Sequence, residues 1–203
     1  MKLYYFPGAC SLSPHIVLHE LGLPFELERV DLANKVTESG DDFLTINPKG
    51  FVPALLLDNG LVLTEGPVIV QYLADQVPDK NLVPLAGSIA RYRVMEWMNY
   101  IATDLQKGFA PLFNPATSDD TRMTVHANLA RHFDIIESQL EKSAFIAGDR
   151  FTVADALLFA VLNWAQYVAI DLAPWPALPA YLTRIAERPA VKAAMVAEKL
   201  MSE

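Results

Sequence analysis

Apolar positions in the first eighty residues alternate between two periods. Lys2 to Phe6 is a short aromatic run that ends at Pro7-Gly8, and it predicts a strand closed by a turn. Ile16, Val17, Leu18 and Leu21 then form a helical face, with Ser13 expected as N-cap, Pro14 at the first helical position and Gly22 followed by Pro24 as the stop. Phe25 to Leu32 returns to a period of two, imperfectly, with Phe25 and Leu27 on one side and Glu26, Glu28 and Val30 on the other. A polar loop leads to a short helix around Asp41 to Ile46. Pro53–Leu57 and Leu61–Leu63 flank Asp58-Asn59-Gly60, whose residues tolerate positive φ, and this predicts a hairpin. Val68, Ile69, Tyr72 and Leu73 recur at helical spacing within Glu65 to Val77. The order is β-α-β-α-β-β-α: a parallel pair made by a crossover, then an antiparallel hairpin.

Pro78 to Gly87 reads as a linker. Beyond it strand patterns nearly vanish, and long amphipathic ones take over: Val94, Trp97, Met98, Ile101 and Leu105, then Leu129, Phe133, Ile136 and Leu140. The expected organisation is an α+β domain over residues 1–80 and an all-α helical bundle over residues 87–203.

Composition narrows the function. The 203 residues are 52% hydrophobic and carry a formal net charge of -8, which argues against a nucleic-acid partner because phosphate binding relies on Lys and Arg. Neither a secretory h-region at the N-terminus nor a long uninterrupted apolar run is present, so no membrane association is expected and the chain reads as cytoplasmic. One cysteine permits no internal disulfide and no Cys-rich metal cluster. His15 and His19 stand at i, i+4, but no further ligand cluster accompanies them, and no metal site is expected.

The single thiol, Cys10, falls between the first strand and the first helix. Unsatisfied N–H groups and the positive end of the helix macrodipole converge there, so the thiol is expected to ionise readily. Cys10-Ser11-Leu12-Ser13 has the C-x-x-S form of a one-thiol redox motif, which requires its thiol partner to come from outside.

The runs MKLYYFPGACSLSPHIVLHELGLPFE, NPKGFVPALLLDNG, LTEGPVIVQYLAD and AGDRFTVADA resemble the glutathione transferases, specifically their bacterial beta class, over essentially the whole chain. The resemblance implies a thioredoxin-like N-terminal domain, a cis proline at Pro53, and glutathione as co-substrate with no tightly bound cofactor. It further implies that the backbone of Val52 pairs with the cysteinyl part of glutathione, a miniature strand addition. Glu65 would engage the γ-glutamyl end, and the Gly66 N–H would receive its carboxylate at a helix N-terminus, where relatives often add a serine hydroxyl. Lys35 would pair with the glycyl carboxylate. Ala9 and Cys10 would lie against the glutathione sulfur, with the hydroxyls of Ser11 and Tyr5 as candidate further donors.

At 3.6 residues per turn, Asn99, Thr103 and Gln106 fall within about 60° of one another, roughly opposite the Val94, Trp97, Ile101 and Leu105 face. By resemblance this helix lines the cleft of a homodimer, and Asn99, Thr103 and Asp104 would reach towards the partner's glutathione. Gln106-Lys107 stands where the family usually has histidine and lysine. Glutamine can position by hydrogen bonds but cannot exchange a proton near neutral pH. The implied activity is conjugation of the glutathione thiol to a small apolar electrophile, with Phe109, Phe113 and Trp164 as candidate second-substrate residues. The alternatives are a glutathione-dependent thiol–disulfide reductase, which C-x-x-S favours, and a non-catalytic carrier of glutathione or hydrophobic ligands. Thr152 and Asp155 resemble the family's N-capping box and are assigned to folding. Trp97, Trp164 and Trp175 read equally as core or cleft lining.

Overall fold

The computed structural model describes residues 1–202. Strand β1 (Lys2–Tyr5) lies at the centre of a five-stranded sheet of order β3-β2-β1-β4-β5. It pairs in parallel with β2 (Glu26–Asp31), Leu3 opposite Leu27, and antiparallel with β4 (Ala54–Leu56), Leu3 opposite Leu55. The parallel pair requires the crossover helix α1 (Leu12–Leu21). Strand β5 (Val62–Thr64) returns beside β4 through the expected turn, in which the Leu57 N–H donates to the Leu61 carbonyl at 2.8 Å. The sequence predicts four strands. The fifth, β3 (Val36–Thr37), is two residues that pair antiparallel with β2, too short for any periodicity to register.

Both faces of the sheet are covered, and side chains alternate between them. Leu3 and Leu55 point into a core shared with Ile16, Leu18, Ile69 and Leu73 from α1 and α3 (Gly66–Gln76). Tyr4, Val30, Val52 and Ala54 point the other way, under Phe43 of the one-turn helix α2 (Phe43–Ile46). Asp42 caps α2, its carboxylate accepting from the Leu44 N–H at 2.9 Å.

One expected boundary is corrected. Helix α1 starts at Leu12 with Ser11 in the N-cap position, and Ser13 lies in the first turn, its hydroxyl donating back to the Cys10 carbonyl at 2.9 Å. The turn carbonyls of Ala9 and Cys10 accept from the Leu12 and Ser13 N–H groups and start the helix two residues early.

After a 3-10 turn at Pro78–Lys80 the chain is helical: α4 (Ile89–Tyr100), a π-helical turn (Ile101–Leu105), α5 (Gln106–Phe109), a 3-10 turn (Ala110–Phe113), α6 (Asp119–Leu140), α7 (Val153–Leu162), α8 (Trp164–Tyr167), α9 (Ala177–Ala186) and α10 (Pro189–Ala197). All of α7 is buried, as its nearly uninterrupted apolar sequence requires, and α1, α3, α4 and α9 pack around it. Its N-terminus is closed by the expected capping box. The Asp155 carboxylate accepts from the Thr152 N–H at 2.8 Å, the Thr152 hydroxyl at 3.0 Å, the Ile146 N–H at 2.8 Å and the Tyr181 hydroxyl at 3.0 Å. Among the described residues no helix is long and apolar enough to cross a membrane.

Candidate active site

The turn from β1 into α1 carries Cys10, and the helical half grips that turn. Gly8 donates its N–H to Glu198 at 2.9 Å and receives the Trp164 indole N–H on its carbonyl at 2.8 Å. Its φ is +73°, and a Cβ there would meet the Tyr167 hydroxyl at 3.4 Å, so glycine suits both the backbone and the close approach. Two residues on, the half-buried Cys10 thiol donates to the Val52 carbonyl at 3.3 Å.

Val52 precedes a cis peptide bond to Pro53. The loop before it is shaped by buried Asn47, whose amide donates to the Phe51 carbonyl at 2.7 Å. From this loop Lys49 reaches across to the start of α3, where its ammonium lies 2.6 Å from the Glu65 carboxylate and 3.0 Å from the Thr64 hydroxyl. Glu65 holds φ at +70°, a left-handed conformation uncommon for a side-chain-bearing residue and frequent at ligand-handling positions. It hands the chain to Gly66, the first residue of α3.

These groups share one cavity of about 780 Å³. Its wall from the sheet half includes Pro7, Gly8, Ala9, Cys10, Lys49, Phe51, Val52, Pro53, Glu65 and Gly66. Its wall from the helical half includes Ala102, Gln106, Lys107, Ala110, Phe113, Leu157, Trp164 and Tyr167. Phe113 meets Trp164 edge-on, centroids 5.5 Å apart.

Several anticipated residues stand elsewhere. Ser11 is fully buried, its hydroxyl donating to the Phe6 carbonyl and accepting from the Phe6 N–H, both at 3.2 Å, so it is committed to the turn. Tyr5 lies behind the cavity wall, 6.2 Å from the His15 ring. Phe109 is fully buried against Phe133 and the far side of Trp164, because it follows the helix inward while Phe113 follows the turn outward. Lys35 has φ of +57°, and its side chain reaches the Gly50–Phe51 segment, the ammonium 5.5 Å from the Phe51 ring centroid. There its ammonium donates to the Gly50 carbonyl at 2.9 Å, and Lys49 is the loop cation at the wall. Asn99, Thr103 and Asp104 are exposed outside the cavity, the Thr103 hydroxyl 2.6 Å from the Asp104 carboxylate. They do not share the face of Gln106, because the π-helical turn between them adds a residue to the helical period. Of the tryptophans, Trp164 lines the cavity, Trp97 packs against Tyr100 and Trp175 against Phe133.

The arrangement is one largely apolar cavity that brings together a thiol, the Lys49–Glu65 ion pair and the rings of Phe51, Phe113, Trp164 and Tyr167. A model described as the N-terminal domain of glutathione S-transferase matches residues 8–76, and one described as the C-terminal domain matches residues 100–189. The glutathione S-transferase GstA of Escherichia coli O157:H7 is 52% identical over 98% of this chain and 100% of its own. The chain belongs to the glutathione S-transferase family. A sphingomonad glutathione S-transferase solved with glutathione is 48% identical, covers 99% of this chain and 100% of its own, and superposes with a TM-score of 0.96. A beta class glutathione S-transferase of Sphingomonas chungbukensis is 46% identical at the same coverage and TM-score.

In this glutathione S-transferase, burial pushes the Cys10 thiol up to about 11, against smaller opposing pulls from the Gln106 side chain and the Cys10 and Ser11 amides. The expectation of an easily ionised thiol is corrected. The Leu12 and Ser13 N–H groups are spent on the Ala9 and Cys10 carbonyls, which leaves the Cys10 and Ser11 amides to favour a thiolate, and desolvation outweighs them. Lys49 and Tyr167 are wall residues that sequence reasoning missed. Lys49 lies inside the NPKGFVP run and could have been weighed beside Lys35, whereas nothing in sequence marks Tyr167.

Proposed function

We propose that this transferase joins the glutathione thiol to small apolar electrophiles, and that Cys10 acts as a neutral hydrogen-bond donor to the glutathione sulfur. The observation that carries the reading is the Cys10 thiol in one cavity with Val52-Pro53, Glu65-Gly66 and the Phe113–Trp164 ring pair. Glutathione would lie along Val52-Pro53, with its γ-glutamyl end at Glu65 and the Gly66 N–H. Its sulfur would accept from the Cys10 S–H and the Gln106 side-chain N–H, two donors that stabilise a thiolate without exchanging protons. The glutathione thiol gives its proton to solvent. The sulfur then attacks the electrophilic carbon, a C–S bond forms, and the leaving group departs with its electron pair. Phe113, Trp164 and Tyr167 would hold the electrophile, and the cytoplasm would supply reduced glutathione.

The assembly we propose is a homodimer. Leu85, Ile89, Tyr92 and Met95 present apolar side chains to solvent along the approach to and first turns of α4, and Asn99 and Thr103 continue that side. Asn99, Thr103 and Asp104 would then face the partner's glutathione. Sizing chromatography tests this, with a compact monomer as the contrary result.

Conjugation of a chloronitroarene by the wild type and by Cys10→Ala tests the chemistry. The variant should lose roughly tenfold or more in rate at neutral pH, because losing a donor to the thiolate raises the pKa of the bound glutathione thiol by about one unit or more. Equal rates would remove Cys10 from the reaction, and absence of conjugation in both proteins would favour a carrier.

A further inference from the structure

Phe113 is half-exposed on a turn that leaves the helical stack after α5, yet it stands upright against Trp164 at 88° between ring planes. The segment that follows it, Asn114 to Ser118, has no helix or strand to hold it. It is tied back by the Thr117 hydroxyl, which donates to the Pro111 carbonyl at 2.6 Å, and two of its carbonyls converge with that of Leu112 on one side chain of α6. The Arg122 guanidinium donates through Nε to the Thr117 carbonyl at 3.2 Å, through Nη1 to the Leu112 carbonyl at 3.3 Å and through Nη2 to the Asn114 carbonyl at 3.0 Å. All three kinds of guanidinium nitrogen are used, and two of the acceptors are the residues on either side of Phe113. A planar fork with fixed donor directions can impose such a geometry, which a single rotatable ammonium cannot.

We infer that Arg122 is a positioning residue for the second substrate: by clamping the Leu112 and Asn114 carbonyls it fixes the Phe113 ring as a wall of the electrophile chamber. The inference rests on the reading of Phe113 and Trp164 as the second-substrate side. Arg122 lies outside the cavity wall and acts only through the turn. Val52, Glu65 and Gly66, on the proposed glutathione side of the cavity, stand on other elements, so glutathione binding should not sense the clamp.

The experiment is steady-state kinetics on Arg122→Met, Arg122→Lys and Phe113→Ala, with a chloronitroarene and glutathione varied separately and thermal unfolding measured alongside. Arg122→Met should raise KM for the electrophile by about 2- to 12-fold, the factor that matches losing one edge-to-face aromatic contact, and leave KM for glutathione unchanged. Arg122→Lys should fall between wild type and Arg122→Met, and it supplies the measurement should Arg122→Met unfold. Unchanged electrophile KM in the Arg122 variants, or a parallel rise in glutathione KM, overturns the inference. Phe113→Ala separates the two claims. If it raises electrophile KM while the Arg122 variants do not, the positioning role fails and the chamber stands. If Phe113→Ala changes nothing, the assignment of the chamber itself fails, and the role of Arg122 with it.

Discussion

The Lys49 ammonium lies 2.6 Å from the Glu65 carboxylate at the mouth of the groove where the γ-glutamyl end of glutathione is proposed to bind. Both side chains are more than half exposed, at 55% and 61%, so the pair contributes at most about 0.2–1 kcal/mol. An incoming ammonium can therefore displace Lys49 at little cost. Glu65→Gln should raise KM for glutathione roughly tenfold, the loss of a charge-assisted hydrogen bond discounted for exposure. Lys49→Met should change it by no more than about fivefold. Steady-state kinetics with glutathione varied reads both, and a larger effect at Lys49 than at Glu65 would reverse their assigned weights.

Gly66 has room for a side chain. A Cβ built there would meet Pro53 Cγ at 3.8 Å and Ser13 Oγ at 3.9 Å, both ordinary van der Waals contacts. Gly66→Ser should place a hydroxyl beside the α3 N–H groups and tighten glutathione binding by about 2- to 12-fold, one net hydrogen bond. Calorimetric titration measures it, and weaker binding would show that the carboxylate does not sit at this helix end.

Gln106 shares the cavity wall with Cys10 and carries a side chain that does not titrate. In Gln106→His the conjugation rate should acquire an inflection near pH ~6.5, the ordinary imidazole range, with glutathione affinity little changed. Superimposable pH–rate profiles for the two proteins would show that position 106 carries no charge-sensitive role.

Asp155 is fully buried and satisfies four donors from three separate segments. Asp155→Ala leaves those donors unpaired at the start of the central helix and should destabilise the fold by about 2–4 kcal/mol. Thermal unfolding should show a Tm lower by roughly 5–15 °C, and an unchanged Tm would deny the box its structural weight.

Much of the frame was legible because local chemistry and tertiary structure agree. Gly22 ends α1, Asp58-Asn59-Gly60 turns the hairpin, and the apolar face of Val94, Met98, Ile101 and Leu105 is the buried one. The sequence also marked Cys10, Val52-Pro53, Glu65-Gly66 and Gln106, which the fold gathers into one cavity. What escaped was set by backbone detail without a side-chain pattern. The π-helical turn moves Gln106 off the face of Asn99 and Thr103, and the Gly50 carbonyl holds the Lys35 ammonium. Tyr167 and Arg122 matter through partners distant in sequence or through loop carbonyls, which no spacing announces.

Cys10 carries the central claim, and as the chain's one cysteine it is isolated by the difference between the wild type and Cys10→Ala, in which the absorbance of the seven tyrosines cancels. Its ordinary value is 9.0, and burial holds it near 11. The folded chain thus favours the neutral thiol, a stabilisation that is full below pH 9 and is lost as the pH rises through about 11. The direct measurement is ultraviolet thiolate absorbance against pH, with and without glutathione. Protein alone should show no thiolate until about pH 11, and adding glutathione at neutral pH should produce a thiolate signal that Cys10→Ala diminishes. A Cys10 thiolate already present at neutral pH in the protein alone would contradict the account and favour a thiol–disulfide reductase.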